Sequence, residues 1–342
     1  MNKVLIFLGP TGVGKTGVSL LIAKALNTEL ISADSMQIYR HMDIGTAKPT
    51  ADERDGITHH MIDIAEPWET YSSGKYIAAV QPIIEHLLGQ GKIPIIVGGT
   101  GLYIKAMTRG IFSGPSADWV LREELLTKEQ ETKGILYEYL KTLDPVAVDK
   151  ITPNDTRRLL RALEVCLKSG VKMSEMQQSF TRPLPYEFIK IGITRERKEL
   201  YRMIEERADA MITGGLIGEV RMVMDLITNQ NRMQNDGHTS GVSEQRYCPV
   251  PSMQAIGYKE IARHLGGELS LTEAATLMKK ASKRYAKRQF TWFRKEENIL
   301  WIDVTGMTDP HEILGKMYPL LSGIIGDGHR HHPCNIEKNT LW

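Results

Sequence analysis

The chain has 342 residues, 42% of them hydrophobic and 25% charged, and a formal net charge of +2. That length supports a full core and a second, smaller unit, and the composition is that of an ordinary globular protein, with no apolar stretch long enough to span a membrane. Three scattered cysteines, Cys166, Cys248 and Cys334, exclude a disulfide framework or a Cys-x-x-Cys zinc pair, so a reducing, cytoplasmic setting is expected.

Val4 to Leu8 is a short apolar run that leads directly into GPTGVGKT, residues 9–16. The run is too short for a signal peptide, and no small-residue cleavage site follows. It reads as a first strand feeding a Gly-rich turn and a helix over 17–26. Further buried strands are predicted at 29–34, 60–65, 93–99, 188–194 and 299–304. Helical spacing separates the early ones, as in 75–91, which argues for an α/β core. Residues 118–170 carry helical spacing without a convincing strand, and 197–226 and 270–293 are helical too. The predicted fold is therefore α/β, a P-loop, nucleotide-kinase-like parallel sheet with a helical insertion. Its first part covers 1–117 and the insertion 118–186. A return to the core with a further helical segment covers 187–305, and a C-terminal helix and disordered tail cover 306–342. The polar stretch 229–252 reads as a mobile surface loop, and 323–342 lacks a periodic apolar face.

In this strand–turn–helix context, G-x-x-x-x-G-K-[ST] is a phosphate cradle. Gly9, Pro10, Thr11, Gly12, Val13 and Gly14 supply the turn, whose glycines let backbone N–H groups face an anion. Lys15 adds a full charge, and Thr16 offers a hydroxyl to Mg²⁺. The motif does not say which phosphate. Asp34 closes the next strand beside this loop, where open α/β sheets hold ligands. It could hold Mg²⁺ through water, act as a general base, or cap the following turn.

Taken together, GPTGVGKT, ISADSMQIYRHMDIGTAKP (31–49), HHMIDIAEPWETYSSGKY (59–76) and IPIIVGGTGLYIKA (93–106) resemble the tRNA dimethylallyltransferases, the tRNA isopentenyltransferase family. PNDTRRLLRALEV, GGLIGEV, QAIGYKE and AKRQFTWFRK continue the resemblance to about Val304. It implies transfer of a dimethylallyl group from dimethylallyl diphosphate to N6 of the adenosine 3′ to the anticodon in a tRNA anticodon stem-loop. Residues 9–16 would hold the donor diphosphate with Mg²⁺, and Asp34 would take the proton from the attacking amine. The resemblance also places Thr100 and Arg122 near the reacting groups, although by residue type alone Arg122 is a solvated helix charge. Asp34, Ser35, Met36 and Gln37 would meet the extruded base. Arg157, Arg158, Leu159, Leu160 and Arg161 would contact tRNA, as would Gln254, Gly257, Tyr258 and Lys259.

The stretch KKASKRYAKRQFTWFRK, 279–295, supports an RNA surface on its own composition, with eight basic residues, no acid and interleaved aromatics. Lys287, Arg288, Gln289, Trp292 and Arg294 are its predicted tRNA contacts. A solvated basic face over aromatic core residues would give the same pattern. His59–His60 reads as a strand edge, and His329, His331, His332 and Cys334 as tail residues able to catch metal only adventitiously. No membrane is implicated, and a monomer is expected. Two other readings use the same loop: a P-loop kinase of a nucleotide or small metabolite, and a non-enzymatic RNA-binding switch. The first is disfavoured because 93–99 ends in Gly-Gly instead of Asp.

Overall fold

The computed structural model describes residues 2–112, 114–235 and 250–325. Its elements run β1 (Lys3–Leu8), α1 (Lys15–Ala25), β2 (Leu30–Ala33), α2 (Ala51–Arg54), β3 (His59–His60), α3 (Ser73–Gly89), β4 (Ile95–Gly98) and α4 (Gly101–Thr108). Five helices follow: α5 (Trp119–Glu131), α6 (Ile135–Leu143), α7 (Pro145–Val148), α8 (Thr156–Ser169) and α9 (Met173–Phe180). The chain then forms β5 (Glu187–Thr194), α10 (Arg197–Thr213), α11 (Leu216–Asn235), α12 (Tyr258–Leu265), α13 (Leu271–Phe293), β6 (Ile299–Asp303) and α14 (Pro310–Ile325).

The six strands form one sheet in the order β3-β2-β4-β1-β5-β6, and every pairing is parallel. Val4 to Leu8 is buried throughout because helices cover both faces of β1, which is why the strand shows no polar alternation. One face packs Leu5 and Phe7 with α1 and α14; the other packs Val4, Ile6 and Leu8 with α3 and α4. β1 lies between β4 and β5, so the loop leaving its C-terminal end opens beside the end of β4, with β2 one strand beyond, at the edge where such sheets hold ligands. This is the predicted α/β class.

α5 to α9 hold their own apolar cluster, centred on Leu136, Leu140, Leu159 and Leu163. Asp144 is fully buried inside it and accepts hydrogen bonds from the amide and hydroxyl of Ser174, at 2.8 and 2.7 Å. Leu140→Ala should cost about 2–5 kcal/mol, since no side chain can collapse cheaply into a site this enclosed; urea denaturation followed by circular dichroism measures it.

Three local expectations change. The strand predicted at 60–65 is only His59–His60, because positive φ at Met61 and Asp63 (64° and 55°) turns the chain out of the sheet. His60 Nε2 lies 2.7 Å from Glu29 Oε2, so the histidine pair is sheet-edge structure as expected. The stretch read as a loop from 229 is helical through Asn235; the remainder to 249 lies outside the described residues. Likewise α14 continues to Ile325, and the His-rich tail lies outside them. No helix among the described residues is long and apolar enough to cross a membrane.

Candidate functional site

The Gly-rich loop takes the form its spacing requires. Gly12 and Gly14 have φ of 81° and 100°, which favour glycine, and α1 begins at Lys15. Lys15 Nζ donates to the carbonyls of Gly9 and Pro10, both at 2.9 Å. Burial pushes its pKa down to about 8; the Asp34 carboxylate opposes that shift and the Arg207 guanidinium adds to it. Thr16 is exposed at the helix N-terminus. Behind the loop, Arg195 donates to Val13 O at 3.1 Å and Val304 O at 2.9 Å, which fixes the turn to β5 and to the end of β6.

Asp34 follows β2 directly. Its Oδ1 accepts the Met36 amide at 2.8 Å, an Asx turn that aims the segment. Thr100, at the start of α4, receives the Ser35 amide on Oγ1 at 3.0 Å, and its own amide reaches Ala33 O at 3.1 Å. The adjacency of β2 and β4 therefore brings Asp34 and Thr100 together. Gln37 does not project freely: Oε1 accepts from Ser32, and Nε2 donates to Thr46 and Ala47 carbonyls.

That last contact ties Gln37 to the Asp43–Lys48 loop, which is braced from both sides. Glu219 on α11 accepts the amides of Asp43 (2.9 Å), Ile44 (2.7 Å) and Gly45 (3.0 Å), and the Tyr258 hydroxyl. A Cβ at Gly45 would stand 2.4 Å from the Tyr258 ring, so this close approach needs glycine. Lys48 is buried between Asp43 and Asp63 and also donates to Tyr39 O.

A cavity of about 230 Å³ lies over these parts. Thr11, Asp34 and Arg207 line its phosphate-loop side, and Ile204, Ala208, Met211 and Met278 give it an apolar wall. Arg207, on α10, donates to Thr11 Oγ1. Burial lowers its pKa and the Asp34 charge works against that, so both cations at the loop feel the same carboxylate. Tyr285 lines the cavity from α13, and burial raises its pKa. A groove of about 300 Å³ adjoins it between α12 and α13, bounded by Lys259, Arg263, Lys280, Arg284 and Arg288. Ile256 and Arg288 line both spaces, so the cavity over the Gly-rich loop and the basic groove are neighbours that share part of a wall.

The predicted tRNA residues divide on burial. Arg157, Arg158, Gln254, Lys259, Lys287, Arg288 and Arg294 are exposed. Leu159 and Tyr258 are fully buried, and Gln289 is 5% exposed, so these three side chains support the structure and do not face solvent. Gly257 is buried with φ 96° and starts α12, Leu160 packs on the insertion core, and Trp292 covers Gly101. Arg161 bonds Glu164 and Pro115 O. Arg122 grips Glu164 through Nε (2.9 Å) and Nη2 (2.8 Å), and stacks over Trp119. Its guanidinium is thus held inside the insertion by Glu164 and Trp119. Lys279 and Lys283 pair with Asp209 and Glu205 on α10, which leaves Lys280, Arg284, Lys287 and Arg288 as the outward basic face.

Two residues of this site were assigned no role from the sequence, although Glu219 falls within GGLIGEV. Arg207 falls in a helical stripe with Ile204, Ala208 and Met211, and Glu219 in one with Leu216, Val220 and Val223. A charge inside an apolar stripe signals a buried partner, which is the clue each offered.

The chain resembles known proteins along most of its length. The family model described as IPP transferase matches residues 37–296. The tRNA dimethylallyltransferase of Thermodesulfovibrio yellowstonii is 55% identical over 95% of this chain and 99% of that protein. The crystal structure of a tRNA isopentenylpyrophosphate transferase from Bacillus halodurans is similar with a TM-score of 0.65, at 38% identity over 94% of this chain and 96% of that one. A eukaryotic dimethylallyltransferase acting on tRNA superimposes with a TM-score of 0.72 at 27% identity, over 94% and 80% of the two chains. With that identity and coverage, and with a Gly-rich loop beside a basic groove, the chain belongs to the IPP transferase family.

Proposed function

We propose that this enzyme transfers a dimethylallyl group from dimethylallyl diphosphate to N6 of the adenosine 3′ to the anticodon in tRNA, releasing pyrophosphate, in the cytoplasm. The observation that carries this reading is the juxtaposition of the two spaces: the cavity that holds the Gly-rich loop and the Asp34 carboxylate shares Ile256 and Arg288 with the neighbouring basic groove.

In this mechanism the N6 lone pair attacks C1 of the allyl group, the C1–O bond breaks with its electrons leaving on pyrophosphate, and Asp34 accepts the N6 proton. Lys15, Arg207 and the loop amides meet the charge that builds on the leaving group. A Lewis-acidic Mg²⁺ would supply further neutralisation of the diphosphate. Among the described residues no group of three or more His, Cys, Asp or Glu could enclose a metal. The exposed Thr16 hydroxyl suits Mg²⁺ all the same, because that ion takes few protein ligands beside phosphate oxygens and water. Thr100 holds the Asp34–Ser35 turn in place, and the outward basic face of α13, with Arg157 and Arg158, engages the tRNA backbone. Arg122 serves the reacting groups by exchanging its Glu164 fork for a phosphate, which its bidentate geometry permits.

The test is nucleoside analysis by mass spectrometry after incubating unmodified tRNA with enzyme and dimethylallyl diphosphate. A five-carbon gain on the adenosine beside the anticodon is expected; unchanged adenosine with consumed donor would sink the assignment.

Lys15 also predicts a pH dependence for pyrophosphate binding. The charged ammonium binds the anion and its pKa is about 8, so affinity is greatest below pH 8. Above that value a neutral lysine must first take up a proton, and affinity falls by up to about tenfold per pH unit. The wild-type to Lys15→Met affinity ratio, followed calorimetrically from pH 7 to 9.5, isolates the lysine from the ligand's own ionisation. A flat ratio would contradict the assignment.

A further inference from the structure

Gln289 sits where no RNA contact explains it. The side chain is buried, and its Oε1 accepts the Thr11 amide at 2.8 Å while Nε2 donates to Gly99 O at 2.9 Å. The Thr11 amide can only donate and the Gly99 carbonyl can only accept, so the two ends of the amide are not interchangeable. Gly99 has no room for a side chain: a Cβ there would lie 2.1 Å from Nε2 of Gln289. One residue later, a Cβ at Gly101 would lie 2.6 Å from the Trp292 ring, so both glycines let α13 press onto the end of β4. One turn before Gln289, Tyr285 lines the cavity with Asp34, and the adjacent Arg288 faces the basic groove. A single amide thus joins three parts: the phosphate loop, the strand end that presents Thr100, and the helix with the outward basic face.

We propose that Gln289 is a positioning residue for the transfer. It fixes Thr11 against Gly99, so that the leaving-group cradle holds its place relative to Asp34 and Thr100 when α13 carries RNA. This rests on the transferase reading above and replaces the expectation that Gln289 contacts tRNA. Loss of the amide lets the loop drift, and a displacement of the order of an ångström costs about 100-fold in rate.

The experiment is a double-mutant cycle on the full chain with Gln289→Met, Gly99→Ala and both together. It reads kcat at saturating tRNA, pyrophosphate affinity, tRNA affinity and melting temperature. Gln289→Met should lower kcat about 100-fold and weaken pyrophosphate binding, with tRNA affinity unchanged. Gly99→Ala displaces the amide sterically and should give the same defect, and the double variant should be no worse than either single one. Should Gln289→Met fail to fold, Gln289→Glu replaces it, since the carboxylate keeps the acceptor for Thr11 and loses the donor to Gly99. Additive losses would overturn the proposal, as would wild-type kcat in Gln289→Met or weakened tRNA binding with unchanged pyrophosphate affinity. Failure of the wild-type chain to prenylate tRNA would sink the transferase reading instead, and the pyrophosphate cycle would still report on Gln289.

Discussion

Asp34→Asn should lower kcat by about 10²–10⁴-fold, the range over which a positioned acid or base contributes, while tRNA affinity stays unchanged. The substitution is clean because Asn keeps the oxygen that receives the Met36 amide at 2.8 Å, so the Asx turn survives. What it loses is the charge. The N6 amine then has no acceptor for its proton, and the two cations at the loop lose the carboxylate that opposes their desolvation. A second effect follows: the Lys15 pKa drops below about 8, so the pH at which pyrophosphate affinity starts to fall shifts down. Steady-state prenyl transfer and a tRNA binding titration check both parts. A near-normal kcat would remove Asp34 as the base.

Glu219→Ala should destabilise the protein by about 3 kcal/mol and loosen the Asp43–Lys48 loop. One carboxylate serves four donors, the amides of Asp43, Ile44 and Gly45 and the Tyr258 hydroxyl, in a site only 8% exposed. Alanine strands all four, whereas Tyr258→Phe removes one and should cost about 1 kcal/mol. Burial and the Glu219 charge both raise the Tyr258 pKa, so the phenol stays a donor across the working range. Because Gln37 bonds the Thr46 and Ala47 carbonyls, slack in this loop reaches the Asp34 segment. Urea denaturation gives the stability, and a rise in the KM for tRNA beside it would show the loop's part in recognition. Equal stability of Glu219→Ala and wild type would mean that water replaces the carboxylate.

What could be read from the sequence follows how local the signal is. The strand–turn–helix form of the Gly-rich loop was legible, since glycine spacing, Lys15 and the strand before it are contiguous. The sheet was legible for the same reason: β1, β4 and β5 are dense apolar runs. β3 misled because HMIDIA is apolar enough for a strand, yet positive φ at Met61 and Asp63 serves the Lys48 ion cluster instead. Gln289, Tyr258 and Leu159 looked like surface contacts because their motifs also hold exposed basic residues, and sequence does not say which side of a helix a residue faces until the partner element is known. The Arg122 fork was not legible either: its partner Glu164 is 42 positions away. Arg207 and Glu219 went unread because each acts on a loop some 175–196 positions distant.

The measurement that tests the central claim most directly is transfer of radiolabel from dimethylallyl diphosphate into unmodified tRNA, beside a matched reaction with γ-labelled ATP. The account predicts prenyl label in tRNA, lost in Asp34→Asn, and no phosphate transfer. Phosphate transfer or ATP hydrolysis without prenylation would contradict it and make the loop a kinase's.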